Sequence, residues 1–211
     1  MTRICIPVYD EVDMLDVCGP FEMFDWAGFE IDLVTENPGL VQFRNKGFRF
    51  EVTRSFDGAR AADALWVPGG EPQALSDMIW GNNRRYLDFL VAQAARSDWV
   101  CSVCEGAMLL AGAGLLDGYE ATTHWYFKPC FADKFPNVKT VEGDPRFVLD
   151  RNRLTGGGIS SGLDEALKLI ELLAGVDKAT EVQVTTQYFP EPPVAGTLPP
   201  ANSCPLPLPR N

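Results

Sequence analysis

The sequence has very little histidine and no concentrated positive charge. His124 is its single histidine, and 18 Lys and Arg residues face 29 Asp and Glu residues, which gives a formal net charge of −11. The basic residues form no cluster, and so large a negative charge repels nucleic acid and anionic membrane surfaces. We therefore expect no nucleic-acid partner and no membrane partner, and attribute the acidity to solubility.

Long apolar runs are also absent. No segment reaches the length that spans a bilayer, and the first residues predict a strand instead of a secretory signal. We expect a cytoplasmic protein whose six cysteines are reduced thiols. Cys101 and Cys104 have formal Cys-x-x-Cys spacing, but no second pair or nearby histidine completes a site. The sequence thus predicts no metal and no organic cofactor.

Strand and helix signals alternate along residues 1–189, which predicts one α/β domain with parallel strands and helices on both faces. A hydrophobic content of 46% is enough to bury one core. Strands are predicted at 3–8, 30–35, 64–67, 99–103 and 120–123, with hairpins across 41–52 and 138–155. Helices are predicted from Gly19-Pro20 onward and at 83–96, 107–113, 126–134, 161–174 and 178–188.

The composition changes at residue 190. Eight of the last 22 residues are proline, a content that opposes regular structure and core formation. We expect residues 190–211 to be an extended or partly disordered tail.

Cys104 lies between a predicted buried strand and a predicted helix, and Glu105 and Gly106 follow it. A glycine at this place lets the backbone turn sharply, as in a nucleophile elbow. A cysteine at a helix N-terminus is favoured as thiolate, and the free N–H groups there can hold an anion. The alternative is a buried structural cysteine, which is common for this residue type.

These segments resemble the DJ-1/PfpI superfamily and, within it, the isonitrile hydratase branch. The resemblance runs from Ile4 to about Pro200. It is carried by LDVCGP at 15–20, VPGG at 67–70, SVC at 102–104, AGLLDG at 113–118, ATTHW at 121–125, LTGGGISSGLD at 154–164 and PEPP at 190–193. It implies a flavodoxin-like three-layer sandwich with a mainly parallel sheet, as in class I glutamine amidotransferases, and a homodimer.

The resemblance also implies a catalytic pair. Asp16 matches the carboxylate that faces the cysteine in the hydratases, and a carboxyl group near a thiolate has a raised pKa that suits proton donation. The alternative for Asp16 is a helix-entry residue ahead of Gly19-Pro20. We expect backbone N–H groups of Gly70 and Glu105 to bind the substrate, although Gly70 also suits an ordinary turn.

Three further residues are assigned near this pair. Ile159, with the glycines at 156–158, is expected to line the pocket floor, although these glycines also suit a tight turn. His124 could activate the thiol but is more typical of a supporting role. Glu105 and Glu71 stand where hydratases usually carry neutral residues, so we expect a more acidic pocket. Glu105 opposes thiolate formation if it points inward and acts as a first-turn acid if it points outward.

The resulting prediction is cysteine-dependent hydration of an isonitrile to an N-substituted formamide through a thioimidate. One alternative is a glyoxalase-type enzyme acting on small α-oxoaldehydes. Another is a non-enzymatic redox or ligand sensor that uses Cys104. A third, the sensor half of a transcription regulator, is disfavoured because no basic helix-turn-helix segment follows Tyr188.

Overall fold

The computed structural model describes residues 1–210 and shows a central parallel sheet between two layers of helices. The strands are β1 Arg3–Pro7, β2 Glu30–Thr35, β3 Gly39–Gln42, β4 Arg49–Val52, β5 Arg54–Ser55, β6 Ala64–Val67, β7 Trp99–Ser102, β8 Glu120–Ala121, β9 Lys139–Thr140, β10 Phe147–Asp150 and β11 Arg153–Gly156. The helices are α1 Met14–Trp26, α2 Pro72–Trp80, α3 Arg85–Ala94, α4 Gly106–Gly112, α5 Pro129–Lys134, α6 Ser161–Ala174 and α7 Val176–Thr185.

The main sheet has seven strands in the order β10-β11-β7-β6-β1-β2-β5. All neighbours pair in parallel except β10, which is antiparallel to β11 at one edge. Helices α1, α6 and α7 contact one another on one side, and α2, α3 and α4 form the other layer. The predicted α/β three-layer sandwich with a mainly parallel sheet is confirmed.

Helix α1 begins five residues earlier than the sequence predicts. Asp13 is its N-cap, with a side-chain oxygen accepting the Leu15 N–H at 3.2 Å, and Pro20 lies inside the helix. A proline there cannot donate to the carbonyl of Asp16, four residues earlier. The indole Nε1–H of Trp66 donates to that carbonyl instead, at 3.1 Å. The helix therefore tolerates Pro20 because β6 supplies the missing donor.

The side chain of Trp66 is central to the core on this face. It is fully buried and packs edge-on against Phe24 of α1, with ring centroids 5.3 Å apart. Its apolar ring fills the space between β6 and α1, while its single polar atom is satisfied by Asp16.

Other elements differ in detail from the sequence prediction. Helix α2 was not anticipated, because its short stripe of buried residues, Leu75, Ser76 and Ile79, includes a polar one. The hairpin predicted across 138–155 is restricted to β10 and β11, because β9 pairs in parallel with β8. The β3–β4 hairpin forms as expected.

Residues 190–210 contain no helix or strand. Positions 190–200 are exposed, and several of the residues from 201 onward are partly buried against the domain. Cys204 forms a disulfide with Cys130 of α5, so the expectation of six reduced thiols is wrong for these two. Farther along, the Ser76 hydroxyl donates to the carbonyl of Pro207 at 2.6 Å, and Arg210 forms a 2.7 Å ion pair with Asp77. Within residues 1–210, no helix is long and apolar enough to cross a membrane.

Candidate active site

The turn from β7 into α4 places Cys104 in a left-handed backbone conformation, with φ of +57°. Its N–H donates to the Gly157 carbonyl at 2.9 Å, and its carbonyl accepts from the Thr123 hydroxyl at 2.8 Å. A Cβ on Gly106 would lie 2.0 Å from the carbonyl oxygen of Val67. The sharp strand-to-helix turn predicted from the sequence is present, and it depends on glycine at position 106.

Asp16 lies opposite this turn in the first turn of α1, and it is completely buried. Its Oδ2 accepts the Gly69 N–H at 2.9 Å, whereas Oδ1 has no hydrogen-bond partner. The Cys104 sulfur and one oxygen each from Asp16 and Glu105 all lie within 4.8 Å of one another. The structure thus brings the predicted pair, Cys104 and Asp16, together with Glu105.

Glu105 points inward. Its residue is 5% exposed, and Oε2 is buried without a hydrogen-bond partner. This is the orientation that opposes thiolate formation, and it places a second carboxyl group beside the sulfur. Burial raises the pKa of Glu105, against hydrogen bonds from the Cys104 thiol and from its own backbone N–H. The backbone N–H of Glu105, which we expect to bind substrate, therefore lies close to the carboxylate of the same residue.

Cys104 is buried, and its surroundings oppose the thiolate that the sequence predicts. Cys104 is 1% exposed, and its pKa is raised well above the ordinary value. Burial is the largest cause, followed by the charges of Asp16 and Glu105, while the Ile159 N–H favours the ionised form. The helix N-terminus does not compensate for these effects in a sealed site.

The surroundings of Asp16 favour its protonated form. Burial raises its pKa well above the ordinary value, and the charges of Asp13 and Glu105 raise it further. The hydrogen bond from Gly69 acts in the opposite direction but does not offset the burial. A raised pKa is the direction expected for a proton donor. The carboxyl groups of Asp16 and Glu105, beside the sulfur, are therefore the candidates for that role.

In the Pro-Gly-Gly turn after β6, the residue that contacts Asp16 is Gly69, next to the predicted Gly70. Gly69 donates to Asp16, while Gly70 forms an antiparallel bridge with Val12. Binding of substrate by the Gly70 N–H stays a prediction. Glu71 is the N-cap residue of α2 and is half-buried, and its side chain makes no capping hydrogen bond.

Ile159 and His124 line a cavity of about 390 Å³, which Cys104 itself does not line. Ile159 has φ of +33°, and its N–H acts to lower the pKa of Cys104. His124 caps a short 3₁₀ turn by accepting the Tyr126 N–H on Nδ1 at 3.2 Å. Burial lowers the pKa of His124, and the positive charge of Arg44 lowers it further. The structure therefore gives His124 a supporting position in the cavity wall.

Two buried or bridging groups were missed by the sequence analysis. Glu165 of α6 is fully buried, neither carboxyl oxygen has a hydrogen-bond partner, and its pKa is raised by burial and by Asp16. Its position on the buried stripe of α6 could have indicated this. Arg44, after β3, forms a 3.4 Å ion pair with Asp13, but nothing in the sequence relates that loop to α1.

The same three groups that surround the sulfur are also potential metal ligands. Asp16, Cys104 and Glu105 are the one set of three such side chains that meet within residues 1–210. Thiolate and carboxylate ligands suit Zn²⁺, but a closed tetrahedral site needs a fourth ligand. The reaction that we propose for these groups needs no metal.

Comparison with known proteins identifies the family. The DJ-1/PfpI family profile matches residues 2–172, and the chain belongs to that family. The chain is 35% identical to isonitrile hydratase of Pseudomonas putida over 88% of this chain and 78% of that protein. A THiJ/PfpI family protein from Pseudomonas syringae has the same fold, with a TM-score of 0.81 and 32% identity, covering 92% of this chain and 77% of that one.

Regulators carry a related domain. The HTH-type transcriptional regulator GbdR of Pseudomonas aeruginosa is 32% identical over 71% of this chain, which corresponds to 37% of the regulator. The relatives of this chain therefore include both an enzyme and longer regulatory proteins.

Proposed function

We propose that the protein hydrates a small isonitrile to an N-substituted formamide, with Cys104 as nucleophile and Asp16 as proton donor and acceptor. The observation that carries the proposal is the placement of the Cys104 sulfur, at a sharp strand-to-helix turn, beside a fully buried Asp16. The 35% identity to an isonitrile hydratase supports this choice of substrate class.

The chemistry balances with the groups present. The S–H of Cys104 adds across the terminal carbon of R–N≡C, so that sulfur and one proton end on that carbon as the thioimidate R–N=CH–S. Water then adds to give R–NH–CH(OH)–S, and the C–S bond breaks to release R–NH–CHO and the thiol. In the first half Asp16 gives its proton to the carbon as it takes the thiol proton. In the second half it gives a proton to the nitrogen as it takes one from water, and the hydroxyl proton goes to the departing sulfur when the C–S bond breaks.

A protonated site suits this substrate. The isonitrile carbon must gain both a sulfur and a proton, and the raised pKa values of Cys104 and Asp16 keep both available. Attack couples loss of the thiol proton to protonation of the carbon, so a free thiolate need not accumulate. Burial also keeps bulk water away from the thioimidate until the water molecule that reacts with it enters the site.

Glu105 adds a second carboxyl group to this machinery. We expect it to alter which substrates are accepted, because it occupies space beside the sulfur and points inward. Replacing Glu105 with threonine and finding unchanged kinetics on several isonitriles would remove this part of the proposal.

The burial of Cys104 disfavours a redox-sensing role. Sensor cysteines are accessible and have a low pKa, whereas Cys104 is sealed with a raised pKa. The glyoxalase alternative uses the same cysteine and carboxylate pair, so only the substrate distinguishes it.

The test is a substrate panel read by product mass. Wild-type protein, Cys104→Ala and Asp16→Asn are incubated with an alkyl isonitrile and with methylglyoxal. We expect the wild type alone to form the formamide, with at least a 100-fold loss in each variant. Turnover of methylglyoxal without formamide would select the glyoxalase alternative, and formamide formation by Cys104→Ala would overturn the mechanism. Sedimentation of the same sample tests the homodimer, which stays a prediction along with the cytoplasmic location.

A further inference from the structure

A cavity lies against the turn that carries Cys104, although Cys104 itself does not line it. Thr123 and Gly157 line it and hydrogen-bond to the backbone of Cys104, and Ile159 lines it as well. Its volume of about 390 Å³ is within the range of small-molecule sites. The cavity is therefore separated from Cys104 by the residues that hold its turn.

The outer wall of this cavity comes from the C-terminal tail. Leu198 lines the cavity together with Trp125, although 73 positions separate the two residues in sequence. Leu198 also lines a neighbouring groove with Lys128, Pro129 and Asp144. At 55% exposed, Leu198 covers the cavity from the solvent side without being part of the core.

The tail is held on both sides of Leu198. Before it, the Tyr188 hydroxyl donates to Oδ2 of Asp164 at 3.1 Å. After it, the disulfide joins Cys204 to Cys130, which is fully buried in α5. The tail segment 190–203 is thus anchored at two points, and its five prolines at 190, 192, 193, 199 and 200 limit its conformations.

We propose that Leu198 is a specificity-determining residue, and that the cavity behind it binds the apolar N-substituent of the substrate. The disulfide positions the tail so that the Leu198 side chain sets the largest substituent that fits. That the substituent belongs to an isonitrile rests on the proposed function. That Leu198 forms the outer wall of the cavity does not.

The first test varies the wall and the substrate together. Leu198→Ala should raise kcat/KM for 1-adamantyl isocyanide relative to n-butyl isocyanide by about tenfold, and Leu198→Trp should lower that ratio by a similar factor. The matched control is Leu208→Ala, the same change in the same tail at a side chain that is 87% exposed. An unchanged ratio in both Leu198 variants would overturn the proposal.

The second test needs no enzymatic activity. The rate at which iodoacetamide and the bulkier N-phenylmaleimide label the Cys104 peptide is followed by mass spectrometry, which separates it from the exposed Cys18. Leu198→Ala should increase the bulky-to-small rate ratio at least threefold, while Leu208→Ala leaves it unchanged. If Leu198→Ala shifts the labelling ratio but the protein turns over no isonitrile, the proposed function is rejected and the role of Leu198 as the cavity wall is retained.

The anchor is tested with Cys130→Ser combined with Cys204→Ser. If the disulfide positions the tail, this double variant should show the same increase in the labelling ratio, and adding Leu198→Ala should change it little further. If the double variant labels like the wild type, the disulfide has no part in positioning the wall. The folded state of each variant is checked by its circular dichroism spectrum.

Discussion

The Gly69 N–H donates to Oδ2 of Asp16 at 2.9 Å, and this bond connects the turn after β6 to the first turn of α1. The same glycine lies against the Cys104 turn, because a Cβ at position 69 would be 2.7 Å from the Glu105 nitrogen. One residue without a side chain therefore holds the proposed acid and lets the nucleophile approach it.

Gly69→Ala should damage both stability and catalysis. The added methyl group would overlap Glu105 and come within 3.0 Å of Oδ2 of Asp16, so backbone must move in a packed region. We expect a loss of about 1–3 kcal/mol in the free energy of unfolding. We also expect a fall of roughly 100-fold in kcat/KM, since the two reacting groups are displaced. Urea denaturation and initial rates measure the two effects.

Gly58→Ala is the control for this substitution. A Cβ there would meet nothing closer than 3.5 Å, which is ordinary contact. A Gly69→Ala protein that matches Gly58→Ala in stability and rate would show that the close approach at Gly69 is unimportant.

Glu105→Thr should make Cys104 more reactive toward iodoacetamide. The charge of Glu105 contributes to the raised pKa of Cys104, so its removal lowers that pKa and increases the thiolate fraction at pH 8. The measurement is the pH dependence of labelling of the Cys104 peptide. Glu71→Gln, which removes a carboxylate from the adjoining turn, should leave the profile unchanged. A profile that does not move in Glu105→Thr would contradict the inward orientation.

Glu165→Gln should change how stability depends on pH. The folded pKa of Glu165 is raised, so the folded state binds this proton more tightly than the unfolded chain, whose Glu pKa is about 4.3. Its stabilisation is complete below that value and is lost as pH rises toward the folded pKa. The wild type should therefore lose stability relative to Glu165→Gln across this window, by at most about 1.4 kcal/mol per pH unit.

Urea denaturation at several pH values between 4 and 8 tests this dependence. The control is Glu171→Gln on the same helix, whose carboxylate is partly exposed and pairs with Lys168 at 3.0 Å. It should shift stability by no more than about 0.5 kcal/mol with no change in slope. Parallel curves for the wild type and Glu165→Gln would mean that the buried carboxyl is satisfied by water.

Removal of the disulfide should destabilise the protein. The bond closes a loop with a sequence separation of 74, and cross-links of this kind contribute about 2–4 kcal/mol, mainly by restricting the unfolded chain. We expect this loss for Cys204→Ser combined with Cys130→Ser, and for wild-type protein in a reducing agent. Cys18→Ser, at an exposed free thiol, should have no effect. Equal midpoints with and without reductant would show that the bond is not formed in solution.

The fold and the turn at Cys104 were accessible from the sequence because both depend on local pattern, whereas the pairing of Asp16 with Cys104 was implied by the resemblance to the DJ-1/PfpI superfamily. Alternating strands and helices predict the layered sheet, and the residues around Cys104 predict its turn. The start of α1 was not accessible, because Pro20 is accommodated through the bond from the Trp66 indole to the Asp16 carbonyl, a contact across 50 positions. Local proline rules therefore placed the boundary too late.

The charge state of the site could not be inferred from the sequence for a related reason. A helix N-terminus favours a thiolate, but the sequence does not show that Asp16, Glu105 and burial all act against it. The disulfide was also missed, since 74 positions separate Cys130 from Cys204 and only the path of the tail brings them together. Both the charge state and the disulfide depend on residues that are distant in sequence and close in the fold.

The buried indole of Trp66 gives the protein an intrinsic optical probe of its catalytic end. The other four tryptophans are partly or largely exposed, so Trp66 supplies the fluorescence that is most shifted toward the blue. Because its N–H is bonded to the Asp16 backbone, any displacement of that helical turn alters the ring's polarity and emission. Stopped-flow fluorescence can thus follow events at this carboxylate without an added dye.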